Sequence, residues 1–190
     1  ATGRDEGVRQ MERSLARLRV ERVDLMQVHN LRDVAVHTRT LLDWKQQQRI
    51  RYLGITHYVA SAYAEIERLL KTGQYDFLQI NYSLGERDAQ TRLLRLAQEN
   101  NVAVIANRPF AEGAMFRKVR GRTLPDWSRE FGAASWAQFF LKWILGHPAV
   151  TCAIPGTGKP EHMVDNLAGG TGAMPDESQR RRMVQHFDSL

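Results

Sequence analysis

The strongest constraint on this chain is a rhythm. Five short apolar runs open near positions 23, 51, 76, 102 and 150, and stretches with helical spacing alternate with them. The first three intervals are 28, 25 and 26 residues, about one strand and one returning helix each; the fourth is lengthened by residues 111–132. The runs Val23–Val28, Arg51–Thr56, Phe77–Asn81, Val102–Ala106 and Val150–Ile154 read as strands. Asp5–Leu18 is amphipathic, with Val8, Met11, Leu15 and Leu18 at steps of three and four. Leu41–Gln48, Ser61–Leu70, Asp88–Glu99, Trp136–Leu145, Glu161–Leu167 and Glu177–Phe187 complete the predicted helices. Strands apolar on both faces, alternating with helices, require a parallel sheet covered by helices, which is an α/β fold. Five units do not close an eight-stranded barrel. The rhythm fits both an open five-stranded sheet and part of a larger barrel. No low-complexity linker interrupts it, so a single domain over residues 1–190 is expected, with 111–132 a loop on the active-site side of the sheet.

Composition narrows the class of function. The longest strongly apolar stretches, Val102–Ala106 and Phe139–Leu145, fall far short of the roughly 20 residues that cross a bilayer. The N-terminal residues lack a basic-then-apolar signal pattern, and the single Cys152 leaves no partner for an intramolecular disulfide. Together these predict a cytoplasmic protein without membrane association. Basic residues exceed acidic ones by 27 − 21 = 6. The arginines are scattered along Arg4–Arg19, Arg117–Arg122 and Arg180–Arg182, without the interleaved aromatics that stack on bases. They read as solvated faces, and no nucleic-acid partner is expected. Trp136, Phe139, Phe140 and Trp143 read as a core-facing helix stripe, and Cys152 as a small core residue.

Ligands of α/β folds gather at the carboxyl ends of the strands. Those ends are polar here: His29–Asn30, Thr56–His57–Tyr58, Gln79–Ile80–Asn81, Asn107–Arg108–Pro109 and Pro155–Lys159. His29 is either an ordinary hydrogen-bonded strand-end residue or a neutral imidazole that donates to a substrate carbonyl. His57 is a second imidazole on the neighbouring end; the pair has no third ligand at metal-binding spacing, so no metal is expected. The segment Ile154–Asn166 is the most specific. Gly156 and Gly158 allow close backbone approach, Lys159 supplies a charge, and a helix opening near Pro160 offers unpaired N–H groups to a phosphate. The segment matches neither the Walker loop nor the dinucleotide glycine fingerprint. A plain glycine-rich turn is the competing reading.

Four segments, in order, resemble motifs of the aldo-keto reductases: Asp24–His29, Arg51–Tyr58, Phe77–Tyr82 and Ile154–Asn166. The likeness runs from about Gly7 to Asn166, and its specificity lies in the ordered set. It implies a partial (β/α)8 TIM barrel with about five strands, and hydride transfer from NADP(H) to a small-molecule aldehyde or ketone. His29 would orient the substrate carbonyl as the catalytic histidine. Thr56 and Gln79 would hold the nicotinamide carboxamide, with His57 where the family usually has asparagine. Asn107 takes the place of a stacking aromatic, and Arg108 replaces a small residue and could reach the pyrophosphate. Gly156, Thr157, Gly158 and Lys159 would bind around the adenosine 2′-phosphate, with His162 and Asn166 near the adenine. Lys159 favours NADP over NAD.

The same resemblance implies an N-terminally incomplete domain. The family's catalytic aspartate, tyrosine and lysine belong to the first three βα units, which these residues do not include. Tyr52, Tyr58, Tyr63, Tyr75 and Tyr82 do not match the proton-donating tyrosine, so impaired carbonyl reduction by an incomplete or truncated oxidoreductase is expected. The alternative is a non-catalytic nucleotide-binding or interaction module of the same descent. Unpaired apolar edges at Val23–Val28 and Val150–Ile154 predict self-association.

Overall fold

Alternating strand and helix dominate the computed structural model, which describes residues 1–190. The strands are β1 (Val23–His29), β2 (Ile50–Thr56), β3 (Phe77–Asn81), β4 (Ala103–Asn107) and β5 (Val150–Ala153). All five lie within one residue of their predicted bounds. They follow chain order in one sheet, β1-β2-β3-β4-β5, with parallel pairing. The helices are α1 (Arg4–Leu18), α2 (Val34–Gln46), α3 (Tyr63–Leu70), α4 (Asp88–Thr91), α5 (Leu93–Glu99), α6 (Ala114–Lys118), α7 (Trp136–Leu145), α8 (Pro160–Ala168) and α9 (Glu177–Ser189). None is long and apolar enough to cross a membrane. The chain divides into two compact units, Ala1–Gln79 with Leu96–Ala103, and Ile80–Arg95 with Val104–Leu190.

In the first unit, Val28, Leu53, Ile55, Leu78, Ile66 and Leu70 are buried. β2 is buried on both faces from Leu53 to Thr56, as a central strand should be. α2 begins seven residues before the predicted Leu41, after Asp33 at φ 50°. Its first turns carry Val34, Val36, Thr38 and Thr40, β-branched residues of weak helix propensity. Tertiary burial decides there: His37, Thr38 and Thr40 are buried, and the Thr38 hydroxyl lies 2.7 Å from the Tyr75 hydroxyl. Asp76 then locks the start of β3, accepting from Lys45 Nζ at 2.6 Å and from the Leu53 amide at 2.8 Å.

In the second unit, Ser135 caps α7 by accepting from the Gln138 amide at 3.1 Å. The Ser135 hydroxyl and the Gln138 side-chain amide both donate to Asp165, at 2.7 and 2.6 Å, which fixes α8 against the start of α7. Lys142 is fully buried, and its Nζ donates to the Thr171 and Ala173 carbonyls at 2.6 and 3.0 Å, pinning the loop after α8. A capping box of Asp176 and Gln179 opens α9. Residues 111–132 hold more regular structure than their loop-like composition suggests: α6, flanked by 3-10 turns at Ala111–Gly113 and Asp126–Phe131. Burial of Met115, Val119 and Phe131 organises this segment. The predicted helix Asp88–Glu99 is two helices broken at Arg92.

Candidate functional site

The parallel register sets the first group of polar residues side by side. His29 is in register with Thr56, and Thr56 with Gln79, so the ends of β1 and β2 and the middle of β3 present polar side chains on one face of the sheet. Alternation along each strand puts Gln27, Gly54 and Phe77 on that same face, one step back. The opposite face carries Val28, Ile55 and Leu78, all buried apolar residues. The polar face thus follows from strand periodicity alone, once the register is known.

Each side chain has a defined state. His29 is exposed at the end of β1, while Thr56 is buried. Burial, reinforced by the neighbouring His29, pushes the His57 imidazole below its usual range. His57 Nδ1 accepts from the Tyr58 and Val59 amides at 3.0 and 3.2 Å, which a neutral ring protonated on Nε2 can do. The His57 amide in turn donates to the Gln79 carbonyl at 3.2 Å. Gln79 Oε1 accepts from Gln27 Nε2 at 2.8 Å. A cavity of about 590 Å³ borders β1 alone among the strands, lined by Gln27 and His29 with Met11 and Ser14 of α1 and His37 and Leu41 of α2; Thr56, His57 and Gln79 do not line it. Within the unit the structure therefore gathers His29, Thr56, His57 and Gln79, four residues singled out from the sequence. It adds Gln27, which sequence reading passed over. A polar residue two positions before His29, in register with a glycine, was the available signal.

The second unit carries the remaining residues. Asn107 ends β4; its carbonyl accepts from the Tyr82 amide at 3.3 Å, and its Oδ1 is buried without a hydrogen-bond partner. Arg108, at φ 49°, is exposed and pairs with Glu112 at 3.0 Å. After β5 the chain turns through Gly156–Lys159, where Thr157 Oγ1 accepts from the Lys159 amide at 3.2 Å and lies 3.4 Å from His162 Nδ1. Thr157, Lys159 and His162 are thereby gathered around the first turn of α8, with Pro160 at the position whose N–H has no helical partner. A Cβ added at Gly156 or Gly158 would meet nothing within 4 Å, so neither glycine is required by the chain's own packing. Asn166 is buried on the inner side of α8 and shares with Gly156 an apolar hollow of about 610 Å³. Ile154, just after β5, and Met163, Val164 and Leu167 on α8 stand exposed.

Comparison with known proteins fits this layout. The model of the aldo/keto reductase family matches residues 2–181. An uncharacterized oxidoreductase of Bacillus subtilis, YcsN, is 29% identical over 164 residues, covering 80% of this chain and 54% of that protein. The chain spans about half the length of the first curated relatives it matches. Among solved structures, the holo form of the aldo-keto reductase AKR11C1 from Bacillus halodurans superposes with a TM-score of 0.77 at 21% identity, covering 97% of this chain and 67% of that one. An aldo-keto reductase from Klebsiella pneumoniae in complex with NADPH gives 0.69 at 22% identity, covering 93% of this chain and 62% of that one. These likenesses show the fold: five parallel strands and their helices, arranged as in part of a (β/α)8 barrel.

Proposed function

The chain belongs to the aldo/keto reductase family, and from that premise we propose that its residues bind NADP(H) and serve the reduction of an aldehyde or ketone by hydride transfer. One observation carries the reading: the register His29–Thr56–Gln79, which aligns three polar side chains on adjacent strands. The cofactor supplies the hydride. His29 donates a hydrogen bond to the substrate carbonyl, while Thr56 and Gln79 hold the nicotinamide carboxamide beside the neutral His57. Asn107 adds a buried acceptor, and Arg108 is a candidate pyrophosphate contact that would have to leave Glu112. Gly156, Thr157, Gly158 and Lys159 take the adenosine 2′-phosphate at the start of α8, and His162 and Asn166 lie toward the adenine.

The residues present fit such a cofactor. Asn107 Oδ1 is a buried acceptor that lacks a partner of its own, and the two glycines border open space beside an exposed lysine. The NADPH held by the Klebsiella pneumoniae relative supports NADP over NAD. We place the protein in the cytoplasm and expect self-association through β1 and β5, which end the strand order and leave outer edges unpaired.

Proton donation is the weak step within these 190 residues. The Tyr82 hydroxyl is buried, pushed up to about 12, and engaged by Arg180 and Gln90. Tyr75 is likewise buried, raised, and paired with Thr38. Both hydroxyls are committed to internal hydrogen bonds and neither is a ready acid, which supports the reading of impaired carbonyl reduction. The second reading, a nucleotide-binding module without catalysis, draws on the same observation. Fluorescence titration with NADPH and NADH tests both. The expected result is preferential NADPH binding that falls about 5- to 20-fold in Lys159→Ala, with NADH binding little changed. Equal affinities in the folded chain, insensitive to Lys159, would overturn the assignment.

A further inference from the structure

We propose that Gln27 is a positioning residue that sets which way the Gln79 carboxamide points, and hence which hydrogen-bonding group Gln79 offers to a nicotinamide. The inference rests on the reading of Gln79 as a nicotinamide contact. Gln27 and Gln79 belong to β1 and β3, with β2 between them. An ordinary residue at the intervening position would block the pair. Gly54 occupies it, and a Cβ there would lie 3.0 Å from Gln27 Cγ, 3.1 Å from Gln27 Oε1 and 3.1 Å from Phe77 Cβ. The missing side chain at Gly54 is therefore the channel through which Gln27 crosses β2 to donate to Gln79 at 2.8 Å.

The consequence is chemical. A glutamine amide offers one acceptor and two donors. With Oε1 occupied by Gln27, Gln79 faces a ligand chiefly through Nε2, as a donor. It suits the carbonyl oxygen of a nicotinamide carboxamide and not its NH2 group. Gln27 Oε1 is buried without a partner of its own, so the orientation of the pair is held at the expense of one unsatisfied acceptor. A polar atom left unpaired beside a proposed ligand contact is more readily understood as orienting its neighbour than as packing.

The test uses the 190-residue chain, NADP⁺, and the 3-acetylpyridine analogue of NADP⁺, in which a methyl group replaces the carboxamide NH2. Affinities are read by tryptophan fluorescence in wild type, Gln27→Met and Gln27→Glu. In wild type Gln79 donates to the carbonyl common to both ligands. Gln27→Met releases Gln79 to accept from the NH2 of NADP⁺, moving the affinity ratio toward NADP⁺ by about 3- to 10-fold. Gln27→Glu introduces an acceptor-only group that draws in Gln79 Nε2, and it shifts the ratio further the same way. A purely structural role would weaken both ligands alike, so an unchanged ratio overturns the inference; a shift toward the analogue does so too. Gln79→Leu separates the two levels. If it weakens binding while the Gln27 variants leave the ratio fixed, only the role of Gln27 fails. If it changes neither affinity in a folded protein, or folded wild type binds neither ligand, the nicotinamide reading fails with it. Side-chain amide NMR of the unliganded wild type keeps the question open to measurement if a variant misfolds. The Gln27 NH2 protons should be protected and those of Gln79 freely exchanging, and the reverse pattern overturns the inference.

Discussion

Tyr82→Phe should destabilise the second unit by about 2 kcal/mol, although it removes a single oxygen atom. Tyr82 has no exposed surface and Arg180 is only 6% exposed. The phenol oxygen accepts from Arg180 Nη2 at 2.7 Å and donates to Gln90 Oε1 at 2.7 Å. Arg180 also donates through Nε to the Trp143 carbonyl at 2.9 Å and sits 4.7 Å above the Trp143 ring. Loss of a buried hydrogen bond to a charged group costs roughly 1.5–3 kcal/mol, because the guanidinium N–H is left dry and unpaired. The retained contacts to Trp143 keep the cost near the middle of that range. For a chain of this size, about 2 kcal/mol lowers Tm by roughly 4–8 °C, and the urea midpoint by about 0.7–1 M at unchanged slope. The double variant Tyr82→Phe, Arg180→Met should cost less than the sum of the two single changes, with a coupling of about 1–2 kcal/mol. A midpoint shift equivalent to less than about 0.5 kcal/mol, or strict additivity in the cycle, would refute the account of this cluster.

Other consequences are as direct. His147 is pushed down to about 4 by burial and by Arg180, so it is neutral in the folded chain and takes up a proton more readily on unfolding. Its contribution to stability is complete above about pH 6.5 and is lost progressively as pH falls toward 4. Urea denaturation from pH 7 to 4 should show this slope in wild type and a flatter profile in His147→Gln. Lys142→Met removes both bonds to the loop after α8, leaving the Thr171 and Ala173 carbonyls without that donor. Hydrogen exchange over residues 169–174 should accelerate by about 10-fold or more, as one or two such bonds imply. An unchanged exchange rate there would mean the loop is held by other contacts.

Much of the fold was legible because strand and helix are written in short-range patterns. Apolar runs of five or six residues at βα spacing give five strands within a residue of their observed bounds, since a short run between two helical stretches is the local signature of a βα unit. Where local propensity and tertiary burial disagree, the pattern misleads. Val34–Thr40 is β-branched and helical, and residues 114–118 look like loop and are helical, because the core claims their side chains.

The candidate site divides along the same line. Chain order alone placed His29, Thr56, Asn107 and Gly156–Lys159 at or just beyond strand ends and Gln79 within β3, because side-chain chemistry and the direction of a parallel strand are local properties. Only the tertiary structure decided their relations. Register put His29, Thr56 and Gln79 abreast, and the absent Cβ of Gly54 let Gln27 reach Gln79 across a strand. Packing paired Arg108 with Glu112 and withdrew the Tyr75 and Tyr82 hydroxyls into buried hydrogen bonds. These are contacts between residues 4 to 98 positions apart. The longer ones follow from close packing and hydrogen-bond satisfaction in three dimensions, which no local periodicity encodes.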